Sequence, residues 1–146
     1  MTTFPLDEAV RRTEAGLVRA REMGVPMNIA VVDSAGHLVH FARMDGALLG
    51  SVDIAVRKAR TAALFRLPSA TIGELSRSGG PAYDLHHSNG GLVPFGGGLP
   101  VLGADGDVVG AVGVSGGTVE QDVLVAEACL SATPTATVPE ATASGA

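Results

Sequence analysis

Four histidines are the side chains of this sequence best suited to acid–base or metal chemistry near neutral pH. They are His37, His40 and the adjacent pair His86 and His87. The pair lies in a polar, glycine-rich segment, residues 78–91, and loops of that length in compact domains are typically lids or binding loops, or else disordered. Because imidazole titrates near neutral pH and is a common metal ligand, His86 and His87 are candidate metal ligands, although adjacent histidines alone do not define a coordination geometry.

A second candidate site lies at the end of an apolar run, residues 108–114, which is followed by Ser115, Gly116 and Gly117. Glycine lets the backbone take a positive φ and lets a ligand approach closely, so amide groups at the start of the next helix could face an anion. The alternative is that the two glycines only form a tight strand-to-helix turn. The spacing matches neither the dinucleotide-binding motif nor the phosphate-binding loop, so both interpretations stay open.

The spacing of apolar residues, together with the residues that typically begin and end helices and strands, predicts the elements that position these residues. Helices are expected over residues 5–23, 51–66, a short stretch ending near residue 77, and a last segment that Thr118 caps. Strands are expected over residues 27–32, 37–43, 99–102 and 108–114, joined pairwise as hairpins, the second through Asp105-Gly106. The predicted order is α-β-β-α-α-β-β-β-α, which counts one further strand, without assigned bounds, between the short helix and the last helix. This order implies an α+β fold, a five-stranded antiparallel sheet flanked by helices on both faces.

The composition indicates one acidic domain with an aliphatic core. The chain has 146 residues, 46% of them apolar, and a net charge of −5. Without a basic run a nucleic-acid partner is not expected, and no segment approaches the roughly 18 apolar residues of a membrane helix. The N-terminus lacks a signal-peptide pattern, so we expect a cytoplasmic protein. One domain is expected over residues 1–132, with Cys129 in its core, followed by a disordered tail, 133–146, rich in Pro, Thr, Ala and Ser.

Five segments of the chain resemble the GlcG/HbpS-like family. They read IAVVDSAGHLV (29–39), RMDGA (43–47), RKARTAALF (57–65), GGLPV (97–101) and GAVGVSGGT (110–118), the last followed by Gln121-Asp122. The segments occur in matching order across about residues 5–132. The resemblance implies a profilin-like α/β/α sandwich that packs into homo-oligomers. Its implication for activity is weaker, because one fold commonly hosts several functions.

Several matching positions could bind an anionic ligand. Arg43 and Asp45 follow the second predicted strand, where an ion pair between them would either fix the loop or line a pocket. Lys58 lies on the next helix, and its ammonium could neutralise a ligand carboxylate. Backbone amides would reach the same end of the sheet from Gly97, Gly98, Ser115, Gly116 and Gly117. An anion-sized site is therefore expected there.

Haem is the leading candidate ligand, since the family that the chain resembles includes haem-binding proteins. A haem site needs an apolar slot, cations for the propionates and often an axial ligand such as histidine. His86 or His87 would supply the axial ligand from the loop, and Arg43 and Lys58 would supply the cations. The sequence has no Cys-x-x-Cys-His attachment motif, so the haem would be bound non-covalently.

A cofactor-independent enzyme, of the lyase or isomerase type and acting on a small carboxylated substrate, is the main alternative. An arginine or the lysine would hold the carboxylate, the amides of residues 115–117 would stabilise developing negative charge, and a histidine would move protons. Ser115 has no identifiable base partner, which excludes a serine-hydrolase triad. The catalytic candidates are His40, Arg43, Asp45 and Lys58. A third class is a non-catalytic sensor or assembly module.

Overall fold

Four helices and four strands make up residues 4–132, the part of the chain that the computed structural model describes. The helices are α1 (Leu6–Met23), α2 (Gly50–Phe65), α3 (Ser69–Ser76) and α4 (Val119–Leu130). The strands are β1 (Asn28–Asp33), β2 (Leu38–Arg43), β3 (Gly98–Leu102) and β4 (Val108–Ser115). The expected tail, 133–146, lies outside the described residues. None of the helices within residues 4–132 is long and apolar enough to cross a membrane.

The strands form one antiparallel sheet in the order β2-β1-β4-β3. Both predicted hairpins are confirmed, β1 with β2 and β3 with β4. The two central strands, β1 and β4, pair from Asn28 opposite Ser115 to Asp33 opposite Gly110. The end of the sheet that carries Asn28 and Ser115 therefore also carries Arg43, which lies opposite Asn28 on β2.

The predicted strand count is wrong, because the described residues form four strands and not five. The apolar pair Leu92 and Val93 ahead of β3 is buried but forms no strand. Instead of joining a ladder, the Val93 amide donates a hydrogen bond to the Thr61 hydroxyl on α2, at 3.0 Å. The next residue, Pro94, has no amide hydrogen to donate to a neighbouring strand.

Helices cover both faces of the sheet, as predicted for an α+β fold. On one face α1 and α4 pack over a core that includes Ile29, Val112 and the buried Cys129. Burial raises the pKa of the Cys129 thiol to about 12, which makes this cysteine an apolar core residue and a poor nucleophile. On the other face α2 packs over Ala30 and Ala111.

The close approach of α2 to the sheet depends on Gly113 at the centre of β4. A Cβ atom at Gly113 would overlap the carbonyl oxygen of Ala55 and the amide nitrogen of Ala59, both on the α2 backbone. The helix axis therefore lies nearer to β4 than a side chain on that face of the strand would permit. This contact places Lys58, one residue before Ala59, against the end of the sheet.

Candidate functional site

A buried ion pair lies where α2, α4 and the end of β4 meet. The Lys58 ammonium is 2.8 Å from an Asp122 carboxylate oxygen and donates a second hydrogen bond, at 2.9 Å, to the carbonyl of Val114. The side chains of Lys58 and Asp122 are 0% and 3% exposed. The ring of Phe95 lies beside the ammonium, its centroid 5.0 Å from Nζ. Lys58 is thus enclosed by a carboxylate, a carbonyl and an aromatic face.

The second Asp122 oxygen accepts a hydrogen bond from the Gly117 amide at 2.9 Å. Gly116, with φ of 146°, lets the chain turn closely against the carbonyl of Pro26 before the helix begins. Thr118 and Gln121 then form the predicted capping box at the start of α4, which is confirmed. The strand-to-helix turn is therefore fixed to the carboxylate of the helix that it precedes.

The structure brings together only part of the group of residues that were expected to bind an anion, since Arg43 lies elsewhere. The Lys58 ammonium donates to the carbonyl of Val114, the residue before Ser115, and the position of Gly97 lies directly against that ammonium. The anion that they surround is not a ligand but Asp122 of the same chain. The expectation that Lys58 binds a ligand carboxylate is therefore corrected: its ammonium already has an internal partner and no exposed surface. The Gly98 amide is likewise occupied, by the Ser69 hydroxyl.

Burial shifts the pKa values of the ion pair in opposite directions. Desolvation lowers the pKa of Lys58, and the hydrogen bond and charge of Asp122 oppose that shift. Desolvation raises the pKa of Asp122, against the hydrogen bond from Lys58 and the amides of Gly117 and Gly116. Burial therefore favours the neutral form of each group, and the opposite charge of the partner is what favours the charged form.

Arg43 and Asp45 lie at the end of β2, apart from the buried pair. Both are exposed, and the described residues contain no ion pair between them. They line a surface groove of about 370 Å³ together with Arg21 and Leu17 of α1. Of the two roles expected for Arg43 and Asp45, the structure favours the lining of a pocket over the fixing of the loop.

His40 is held by a hydrogen bond to α1. Its Nδ1 lies 2.9 Å from the Thr13 hydroxyl, and that hydroxyl also contacts the Ala9 carbonyl at 2.9 Å. This hydrogen bond joins His40 on β2 to Thr13 on α1. Among the described residues, no hydrogen bond or ion pair joins His40 to the other catalytic candidates, Arg43, Asp45 and Lys58.

His86 and His87 form most of a short 3-10 turn, Leu85–His87, in the loop between α3 and β3. Their ring centroids are 4.2 Å apart. The His86 Nδ1 atom is buried and has no hydrogen-bond partner among the described residues. His87 is largely exposed, with Nε2 3.7 Å from a carboxylate oxygen of Asp84. Asp84 is not among the candidates predicted from the sequence, although its position two residues before His86 was a usable signal.

Two arginines of α2 hold this loop. Arg57 donates to the carbonyl of Gly90 at 2.7 Å, and Arg60 donates to the carbonyl of Asn89 at 2.8 Å. Arg57 also contacts Asp53, one helical turn earlier, at 2.7 Å. Two of the basic side chains of α2 therefore bind the backbone of the loop that carries His86 and His87.

The chain is similar to known proteins over nearly all of the described residues. A model of the family described as "Haem degrading protein HbpS-like" matches residues 4–131. An uncharacterized 15.0 kDa protein from the dhaT-dhaS intergenic region of Citrobacter freundii is 43% identical over 131 residues, which span 89% of this chain and 92% of that protein. The crystal structure of the Klebsiella pneumoniae protein ORFY superimposes with a TM-score of 0.85 at 38% identity, covering 89% of this chain and 90% of that one. The structure of a PduOC:heme complex superimposes with a TM-score of 0.84 at 33% identity, covering 90% of this chain and 96% of that one.

Proposed function

Because the chain belongs to the HbpS-like family, we propose that it is a small-molecule-binding protein whose ligand is haem, bound non-covalently. One observation carries this proposal. The fold is similar to a PduOC:heme complex across 96% of that chain, at 33% identity. The ligand of that relative is thus the first candidate for this protein.

The donor groups of the chain fit a haem ligand in part. A neutral imidazole is a common axial ligand of haem iron, and His86 has a buried imidazole nitrogen without a partner. His86 would offer that nitrogen, the exposed His87 is the alternative axial ligand beside it, and Arg43 in its exposed groove would offer a cation for a propionate. Lys58 is not available for this role, since Asp122 already pairs with it. Haem would supply an iron centre able to bind a further ligand or exchange an electron.

Titration of the purified protein with haemin, followed in the Soret region, tests the proposal. We expect saturation at a fixed stoichiometry, and binding at least about tenfold weaker in the His86→Ala/His87→Ala double variant because the axial imidazole is lost. His37→Ala is the matched control, since His37 is an exposed histidine that also lies near a carboxylate, 3.8 Å from Asp33. Uptake that never saturates, or that is equal in all three proteins, would contradict a haem site on this loop.

A second candidate function is a cofactor-independent enzyme for a small carboxylated substrate. It is favoured by the groove of about 370 Å³ in which Arg21, Arg43 and Asp45 lie together. Two guanidinium groups suit a carboxylate, and the aspartate could exchange a proton. If haemin binds only non-specifically, a screen of small carboxylates for turnover follows, with Arg43→Ala as the variant that must lose the activity.

A further inference from the structure

We propose that Asp84, His86 and His87 bind one divalent transition-metal ion directly, without haem. Each of the three residues offers one ligand atom, and these atoms all lie within 4.8 Å of one another. The Asp84 carboxylate and the His87 Nε2 atom are 3.7 Å apart. Within residues 4–132, these are the three histidine, cysteine or acidic side chains that lie close enough together to hold one metal ion.

The spacing suits a tetrahedral ion. Two ligand atoms that each lie about 2.1 Å from a tetrahedral zinc ion are about 3.4 Å from each other. The contact between Asp84 and His87, at 3.7 Å, is close to that value. Movement of about 1.4 Å would bring atoms 4.8 Å apart to the same separation, which is within reach of rotation of exposed side chains.

Backbone hydrogen bonds hold the three residues in place. The Asp84 amide donates to the carbonyl of Ser76 at 3.1 Å, and the His87 amide donates to the carbonyl of Asp84 at 2.9 Å. The carbonyl of His86 accepts from Leu92 at 2.8 Å. Asp84 has a φ of 65°, a left-handed conformation that few residues other than glycine adopt. These contacts fix the backbone positions of all three residues before an ion arrives.

The chemistry of the ligand set favours transition metals. Two imidazoles and one carboxylate prefer ions such as zinc, cobalt or nickel, whereas calcium and magnesium prefer oxygen ligands. The partnerless Nδ1 atom of His86 is consistent with this assignment, because an unpaired buried polar atom commonly marks a place for water or an ion. Three protein ligands would leave the ion one position for water or for a carboxylate from a bound ligand.

The metal proposal shares two histidines with the haem proposal but does not rest on it. Asp84 separates the two, because a carboxylate is a ligand of the metal ion and not an axial ligand expected of haem. Asp84→Asn should therefore weaken metal binding and leave haemin binding unchanged.

Titration of the untagged apoprotein with cobalt(II) tests the site through the d–d absorption of the bound ion. We expect saturation at one ion per chain and displacement of the cobalt by zinc. Asp84→Asn should lower the affinity at least about tenfold, since even residues behind the ligands contribute that much, and His86→Ala/His87→Ala should abolish binding. His37→Ala, with its exposed histidine near Asp33, should bind as the wild type does.

The proposal is overturned if cobalt does not saturate a site in the wild type. It is equally overturned if Asp84→Asn and the double histidine variant bind cobalt as the wild type does. Cobalt binding without saturable haemin binding would instead overturn only the haem proposal. Circular dichroism of each variant checks that the fold is retained, which we expect because Asp84 and His87 are exposed.

Discussion

We expect Lys58→Met to lower the free energy of unfolding by about 3–5 kcal/mol, the usual cost of removing one partner from a buried ion pair. Methionine fills a similar volume but leaves the Asp122 carboxylate, 3% exposed, without its cation. The carbonyl of Val114 also loses its donor. Urea denaturation of wild type and variant measures the difference.

A double-mutant cycle with Asp122→Asn separates the ion pair from the packing. Asparagine keeps an oxygen that can accept from Gly117, as Asp122 does at 2.9 Å, but carries no charge. We therefore expect Lys58→Met/Asp122→Asn to be more stable than Lys58→Met alone. Losses that simply add in the double variant would contradict the coupling of these two charges.

The loss in Lys58→Met should also depend on pH. Burial raises the pKa of Asp122 above its ordinary 3.8, and removal of the lysine removes a contact that opposes the shift. The folded variant then holds its proton to a higher pH than the unfolded chain. The stability gained from that proton is fully present below pH 3.8 and is lost as the pH rises through the pKa of the folded protein. The variant's deficit should therefore shrink from mildly alkaline to mildly acidic pH, and the double variant should lack this trend.

Gly113→Ala should be the next most damaging change, costing about 3 kcal/mol or more of unfolding free energy. The added methyl group would overlap backbone atoms of Ala55 and Ala59, which cannot rotate away as a side chain could. Helix α2 would have to move off the sheet, and Lys58 would move with it. Chemical denaturation measures the loss.

Gly50→Ala is the matched control for that substitution. Gly50 begins α2, and a Cβ atom there would have no neighbour within 4 Å. Since alanine favours helix, we expect the control to be neutral or stabilising by up to about 1 kcal/mol. Equal losses at Gly50 and Gly113 would mean that the close approach of α2 to β4 does not limit stability.

Local signals were enough to predict most of the fold. The helix predicted over residues 5–23 is observed as Leu6–Met23, ended by Gly24 in a left-handed conformation. The turn at Asp105-Gly106 gave the β3–β4 hairpin, with Gly106 at φ 86°. The described residues form four strands and not five, and the apolar, buried pair Leu92 and Val93 joins no ladder: the Leu92 amide donates to His86 in the loop and the Val93 amide donates to Thr61 on α2. Burial is visible in a sequence pattern, whereas the partner of a backbone amide is not.

Only part of the candidate site could be predicted from the sequence, because the carboxylates that the predicted residues contact, Asp122 and Asp84, were not among the candidates. Lys58 and Gly117 both bond to the carboxylate of Asp122, whereas Arg43 lies in a separate surface groove. Asp122 lies 64 residues from Lys58, and only the packing of α2 and α4 brings the two side chains into contact. A sequence shows that a buried cation needs a carboxylate, but not whether the chain or a ligand provides it.

Helix α2 connects the histidine loop to the buried core through adjacent residues. Arg57 reaches outward to the loop carbonyls, and Lys58 reaches inward to Asp122. Both side chains extend from the same turn of one helix, so a single turn of α2 contacts the histidine loop on one side and the buried carboxylate on the other. The position of α2 therefore matters both to the histidine loop and to the buried charge, and that position is the one that Gly113 permits.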